Sequence, residues 1–228
     1  MKQSILAITA LFISVTTHAR STEFGNGGNA VVCPRGESEA YEYVKSYDLT
    51  EAIIRYRLLP VLPDWRPSQC QIMKDNREIC DTGMEVAEDF ISRLKKIDPV
   101  LHQSLHEKVL NFWSEAILIH GDLLPVNDTG LSFIDRGCSL EQLAIQHEPL
   151  FDEDSRYFIS MRLWEKMEQF DRGIMILHEV LYREALEQNP ALRSSEKIRY
   201  FNALLISNEV SKLSPDKYLA VKAKVFNP

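Results

Sequence analysis

Ile174-Met175-Ile176-Leu177-His178-Glu179-Val180-Leu181-Tyr182-Arg183-Glu184 is the stretch on which the architecture turns. At 3.6 residues per turn it is apolar on nearly every side, which marks a helix in the middle of a domain rather than on its surface. It belongs to a helical tract from Met161 to Gln188, expected as two pieces meeting near Asp171-Arg172-Gly173. Charged groups inside so apolar a helix must find partners. Glu179 and Arg183 stand at the i, i+4 spacing of a salt bridge, and His178 and Tyr182 share a neighbouring face.

On the C-terminal side, Ser194 or Ser195 caps a helix with Ile198, Phe201, Leu204 and Leu205 facing inward, and Ser214-Pro215-Asp216 opens a short final helix. On the N-terminal side, Asp98-Pro99 supplies an N-cap and first helical residue for a helix buried along Leu101, Leu105, Val109, Phe112 and Ala116. Thr82 and Glu85 have the spacing of a capping box ahead of Ala87, Phe90, Ile91 and Leu94. The spacing of Tyr43, Val44, Tyr47, Ile53 and Ile54 predicts a further helix between Ser38 and Leu59, interrupted near Asp48 and ended by Pro60 and Pro63. Between His120 and Ser160 the pattern shortens to Leu131–Ile134, Leu143–Gln146 and Tyr157–Ile159, which predicts a small antiparallel sheet. The expectation is an α+β chain, helix-rich, with a single domain over residues 37–228.

Before that domain, Lys2 precedes the apolar run Ile5–Val15, and Thr17-His18-Ala19 places small residues where a signal peptidase reads them. Residues 1–19 are therefore expected to be a cleaved signal peptide, the run being too short to span a bilayer. Residues 20–36 are expected to be a flexible N-terminal arm, mobile through Gly25-Asn26-Gly27-Gly28 and extended at Ala30–Cys33. Cys33, Cys70, Cys80 and Cys138 all follow the cut, and an even count in an oxidising compartment predicts two disulfides. Three pairings are open. The closeness of Cys70 and Cys80 favours a local loop, leaving Cys33 to Cys138. The whole chain carries a net charge of −7 with no basic cluster, which argues against nucleic acid as a partner. No later segment invites stable membrane insertion once the leader is removed.

Chemistry concentrates at two places. A His-Glu pair on an apolar helix is half of the zinc-peptidase signature, in which histidines at i and i+4 hold the metal and the Glu polarises water. Here Tyr182 stands where the second histidine belongs. The catalytic candidate is Glu179, and the metal candidates are His178 and Tyr182 together with His102 and His106, themselves at i, i+4 on the helix after Pro99. Zinc is the cofactor these residues would hold. Against this stands a structural reading in which Glu179 and Arg183 form an internal polar network.

Four segments taken together, Gly25–Cys33 (GNGGNAVVC), Gly137–Gln146 (GCSLEQLAIQ), Leu177–Glu184 (LHEVLYRE) and Arg199–Ser207 (RYFNALLIS), resemble a family of exported proteins from predatory bacteria of the Bdellovibrio type. The resemblance implies a periplasmic or secreted setting and brings no established activity with it. The expected function is a binding or interaction module for a protein or envelope component. The alternative is a metal-dependent hydrolase, a degenerate zincin-like peptidase.

Overall fold

A computed structural model describes residues 23–24, 28–34, 42–63, 69–80, 82–126, 128 and 134–226. The expected signal peptide and residues 131–133 of the strand expected at Leu131–Ile134 lie outside the described residues, and Ile134 itself is in no strand. In chain order the elements are β1 (Glu23–Phe24), β2 (Asn29–Pro34), β3 (Glu42–Ser46), α1 (Tyr47–Ile54), β4 (Gln71–Ile72), β5 (Glu78–Ile79), α2 (Met84–Ser92) and α3 (Pro99–Asn111). There follow β6 (Ala116–Ile119), β7 (Ser139–Gln142), β8 (Ala144–His147), β9 (Tyr157–Ser160), α4 (Met161–Trp164), α5 (Gln169–Gln188), α6 (Glu196–Ile206) and α7 (Pro215–Phe226). The chain is an α+β, helix-rich single domain.

The centre is α5. Its residues from Gly173 to Leu186 are buried with the single exception of Arg183, as the apolar run requires, and α1, α2, α3, α6 and α7 all pack on it. The predicted break near Asp171-Arg172-Gly173 falls earlier, between α4 and α5, and Gly173 lies inside the helix. Its glycine is a packing requirement. A Cβ there would sit 2.5 Å from Val86 and 2.8 Å from the Gly83 carbonyl, so the missing side chain is what lets α2 cross α5 so closely. Gly83, at φ +75°, takes the N-cap of α2 in place of Thr82. The expected capping box does not form: Glu85 accepts from the Gln69 N–H at 2.7 Å instead. Asp98 does cap α3, accepting from the Leu101 N–H at 3.0 Å, and its other oxygen receives the Tyr218 hydroxyl at 2.8 Å and Lys222 from α7.

The strands form two sheets and a hairpin. One sheet runs β1-β8-β9-β6, antiparallel except for the parallel β6–β9 pair; the other runs β3-β2-β7, all antiparallel. Two expectations change here. The predicted arm at residues 20–36 contains β2, whose Ala30–Cys33 are buried at the centre of the second sheet, together with β1. The first part of the helix predicted over Ser38–Leu59 is β3, because ladder pairing with β2, from Pro34↔Glu42 to Ala30↔Ser46, overrides a local helical spacing. The two disulfides are Cys33–Cys138, which ties β2 to the approach to β7, and Cys70–Cys80, which closes the β4–β5 hairpin.

Candidate functional site

The face of α5 turned toward α1 and α6 carries a buried polar network. Residues i, i+3 apart project from each flanking helix: Asp48 and Glu51 from α1, Arg199 and Asn202 from α6. His178 Nδ1 donates to Asp48 Oδ2 at 2.9 Å, and Asn202 Nδ2 donates to the same oxygen at 2.6 Å. Beside this triad, Arg199 Nε donates to Glu51 Oε2 at 2.7 Å while its Nη1 bonds Asp128 and Ser195. Arg55 holds the other oxygen of Glu51 at 2.7 Å. Asp48, Glu51, His178, Arg199 and Asn202 are at most 2 % exposed. Burial disfavours the imidazolium, but the charge of Asp48 and its hydrogen bond outweigh that penalty and lift the His178 pKa to about 9. The converse holds at Asp48, where burial is overcome by His178 and the carboxyl is held below its usual range. His178 and Asp48 are thus a charged pair at neutral pH.

Glu179, one residue on, looks the other way. Its Oε1 accepts the backbone N–H of Gly28, the residue before β2, and its Oε2 has no hydrogen-bond partner. Gly28 fits that approach closely: a Cβ on it would lie 3.3 Å from the carboxylate oxygen and 3.2 Å from Met175, so a side chain there would push one of them aside by a few tenths of an ångström. Burial raises the Glu179 pKa to about 7, against the opposing charge of His178 and the Gly28 hydrogen bond.

The predicted Glu179–Arg183 pair does not form. Arg183 reaches Glu115 at 3.0 Å and Glu187 at 3.0 Å, because those carboxylates lie toward the surface where a guanidinium keeps part of its hydration, whereas Glu179 is sealed under β2. Tyr182 stacks its ring on His178 at 6.4 Å between centroids, and burial raises its pKa, so the phenol is protonated at neutral pH. His102 and His106 stack on one another along α3, 6.0 Å apart, with His106 3.6 Å from Glu88. The structure does not bring them to His178. Among the described residues, three donor atoms close enough for a shared metal occur only at Cys70, Glu78 and Cys80, and those cysteines are spent in a disulfide. No helix among the described residues is long and apolar enough to cross a membrane.

Sequence reasoning singled out His178 and Glu179 but missed Asp48, Glu51, Arg199 and Asn202. Their signal was present as polar residues set at i, i+3 on the apolar faces of two helices. No family model, curated protein or solved structure matches this chain.

Proposed function

We propose that the protein is an exported binding module, belonging to the Bdellovibrio-type family that its four segments resemble and working in the periplasm or outside the cell on a protein or envelope component. In this reading the His-Glu helix is a structural beam. The observation that carries it is the direction of the polar groups: His178 turns inward onto Asp48 and Glu179 inward onto Gly28, each held by another element of the fold. The two disulfides support an oxidising destination. The unpartnered oxygen of Glu179, with a pKa near neutrality, favours the second reading, a hydrolase using Glu179 as general base.

Metal analysis separates the two. The purified protein is expected to hold no stoichiometric zinc and to melt at the same temperature with and without a chelator. One tightly held zinc per chain, with chelator-sensitive melting, would overturn the binding-module reading. Intact-mass measurement of exported material tests the destination. A chain beginning at Arg20 is expected, and retention of Met1–Ala19 would defeat the export proposal.

A further inference from the structure

The loop over residues 148–156, between β8 and β9, holds Leu150 and Phe151 side by side in solvent, 68 % and 69 % exposed. It is braced by hydrogen bonds. The Leu150 and Phe151 N–H groups both donate to Asp154 Oδ2 at 3.0 Å, and the Asp154 N–H donates to the Phe151 carbonyl at 3.1 Å. Arg156 donates to Glu148 at 2.8 Å across the two ends, and Lys74 donates to the Asp152 carbonyl midway. Two large apolar side chains are therefore presented to water in one hydrogen-bonded conformation, so little ordering entropy is left to lose when something covers them. Beside them the exposed Asp152 and Glu153 carboxylates form no ion pair with any described residue.

A cleft of about 320 Å³ lies where α6 and α7 meet the end of α1. Its walls are the rings of Tyr56 and Tyr200, edge to face at 5.0 Å between centroids, with Val221 and Val225. Rings set in that way accept a third ring edge-on or offset. The volume is at the low end of ligand pockets, roughly 300–1,000 Å³ in general, and takes one aromatic side chain rather than an extended ligand. Three cations line the cleft, Arg55, Lys197 and Lys224, against one carboxylate, Glu196. Arg55 is taken by Glu196 and Glu51, and Glu51 in turn by Arg199, which also bonds Asp128. Together these are four cations to three carboxylates, and the excess sits on Lys197 and Lys224, both exposed and in no ion pair with any described residue. In a chain of net charge −7 this is a local reversal of sign. No residue of the 148–156 loop lines the cleft, so within one copy the two do not meet.

We propose that Leu150 and Phe151 of one copy dock into this cleft on a second copy, with Asp152 and Glu153 meeting Lys197 and Lys224. The apolar pair matches the Tyr and Val walls, and two unpaired carboxylates match two unpaired lysines, which is the complementarity that singles out a second copy as the occupant. One loop in one cleft is smaller than the roughly 1,200 Å² of stable interfaces, so the association is weak and reversible. It goes beyond both readings of the His-Glu helix, and neither depends on it. Sedimentation velocity of the purified chain, both disulfides formed, reads it over about 10 μM to about 1 mM. Wild type is expected to move from monomer toward larger species across that range. Leu150→Ser with Phe151→Ser removes the docking side chains, and Lys197→Glu with Lys224→Glu reverses the charge of the cleft, so each double variant is expected to stay monomeric throughout. All four side chains are exposed, and both variants should melt at the wild-type temperature. Mixed in equal amounts, the two are expected to regain a 1:1 complex, since the intact loop of the lysine variant meets the intact cleft of the loop variant. A wild type that is monomeric at the highest concentration, variants that associate as wild type does, or a mixture that stays monomeric would each overturn the docking.

Discussion

Glu179 and His178 are neighbours in sequence with opposite pH behaviour. Glu179 has a folded-state pKa near 7, above its ordinary 4.5, so its contribution to stability is fully present below about pH 4.5 and is lost as pH rises through 7. The full shift is worth on the order of 3 kcal/mol. Glu179→Gln keeps an acceptor for Gly28 and cannot ionise, so it should unfold with a flatter pH dependence than wild type across that window and be the more stable of the two above it. Urea titrations at several pH values check this, and parallel curves for the two proteins would refute it. His178 rises from 6.5 to about 9, so its contribution is fully present below pH 6.5 and disappears as pH climbs through 9. Removing it strands a buried Asp48 carboxylate: His178→Ala should cost about 3–5 kcal/mol, and His178→Ala combined with Asp48→Ala should cost less than the sum of the two single changes. Additive costs in a double-mutant cycle would show that the pair is not coupled.

The crossing of α2 over α5 depends on two glycines in contact. In an isolated helix Gly173→Ala would stabilise by up to about 1 kcal/mol. Here the added methyl meets Val86 at 2.5 Å and the Gly83 carbonyl at 2.8 Å, so the net effect is expected to be a loss of roughly 1–3 kcal/mol. Trimming Val86 to Ala in the same protein should return only part of it, since the Val86 Cβ at 2.5 Å and the Gly83 carbonyl at 2.8 Å both remain. Thermal melts of the three variants decide the point, and a Gly173→Ala protein as stable as wild type would exclude so tight a crossing. The same glycine shows where sequence was readable and where it was not. The apolar run 174–186 announced a central helix because burial on all sides leaves its mark in composition alone. Gly173 carried the same letter whether it broke the helix or admitted a neighbour, and only the partner α2 distinguishes the two. Residues 43–46 were misread for a like reason. Their spacing suits a helix locally, while the pairing with β2 that makes them a strand is set by residues outside any short window. The polar network was hidden by distance, its partners lying 130 residues apart at Asp48–His178 and 148 at Glu51–Arg199.

Across the whole molecule the two disulfides differ in reach. Cys33–Cys138 spans 105 residues and Cys70–Cys80 spans 10. Chain-entropy arguments give about 4.7 kcal/mol for the first and roughly 2.7 kcal/mol for the second. Serine replacement of the Cys33–Cys138 pair should therefore shift the urea midpoint further than replacement of Cys70–Cys80, and the reverse order would show that native-state strain or residual unfolded structure dominates. The long-range polar pairs have a consequence of their own for biogenesis. A ribosome delivers this chain from its N-terminus, so α1 emerges with Asp48 and Glu51 well before α5 and α6 supply His178, Arg199 and Asn202. Until then two carboxylates stand on what will be an inward face, and early collapse around α1 would have to bury them uncompensated. Early closure is thereby penalised whenever the chain is delivered N-terminus first, from the ribosome or across a membrane, and a chain cut before α6 lacks Arg199 and Asn202, the partners that Glu51 and Asp48 need.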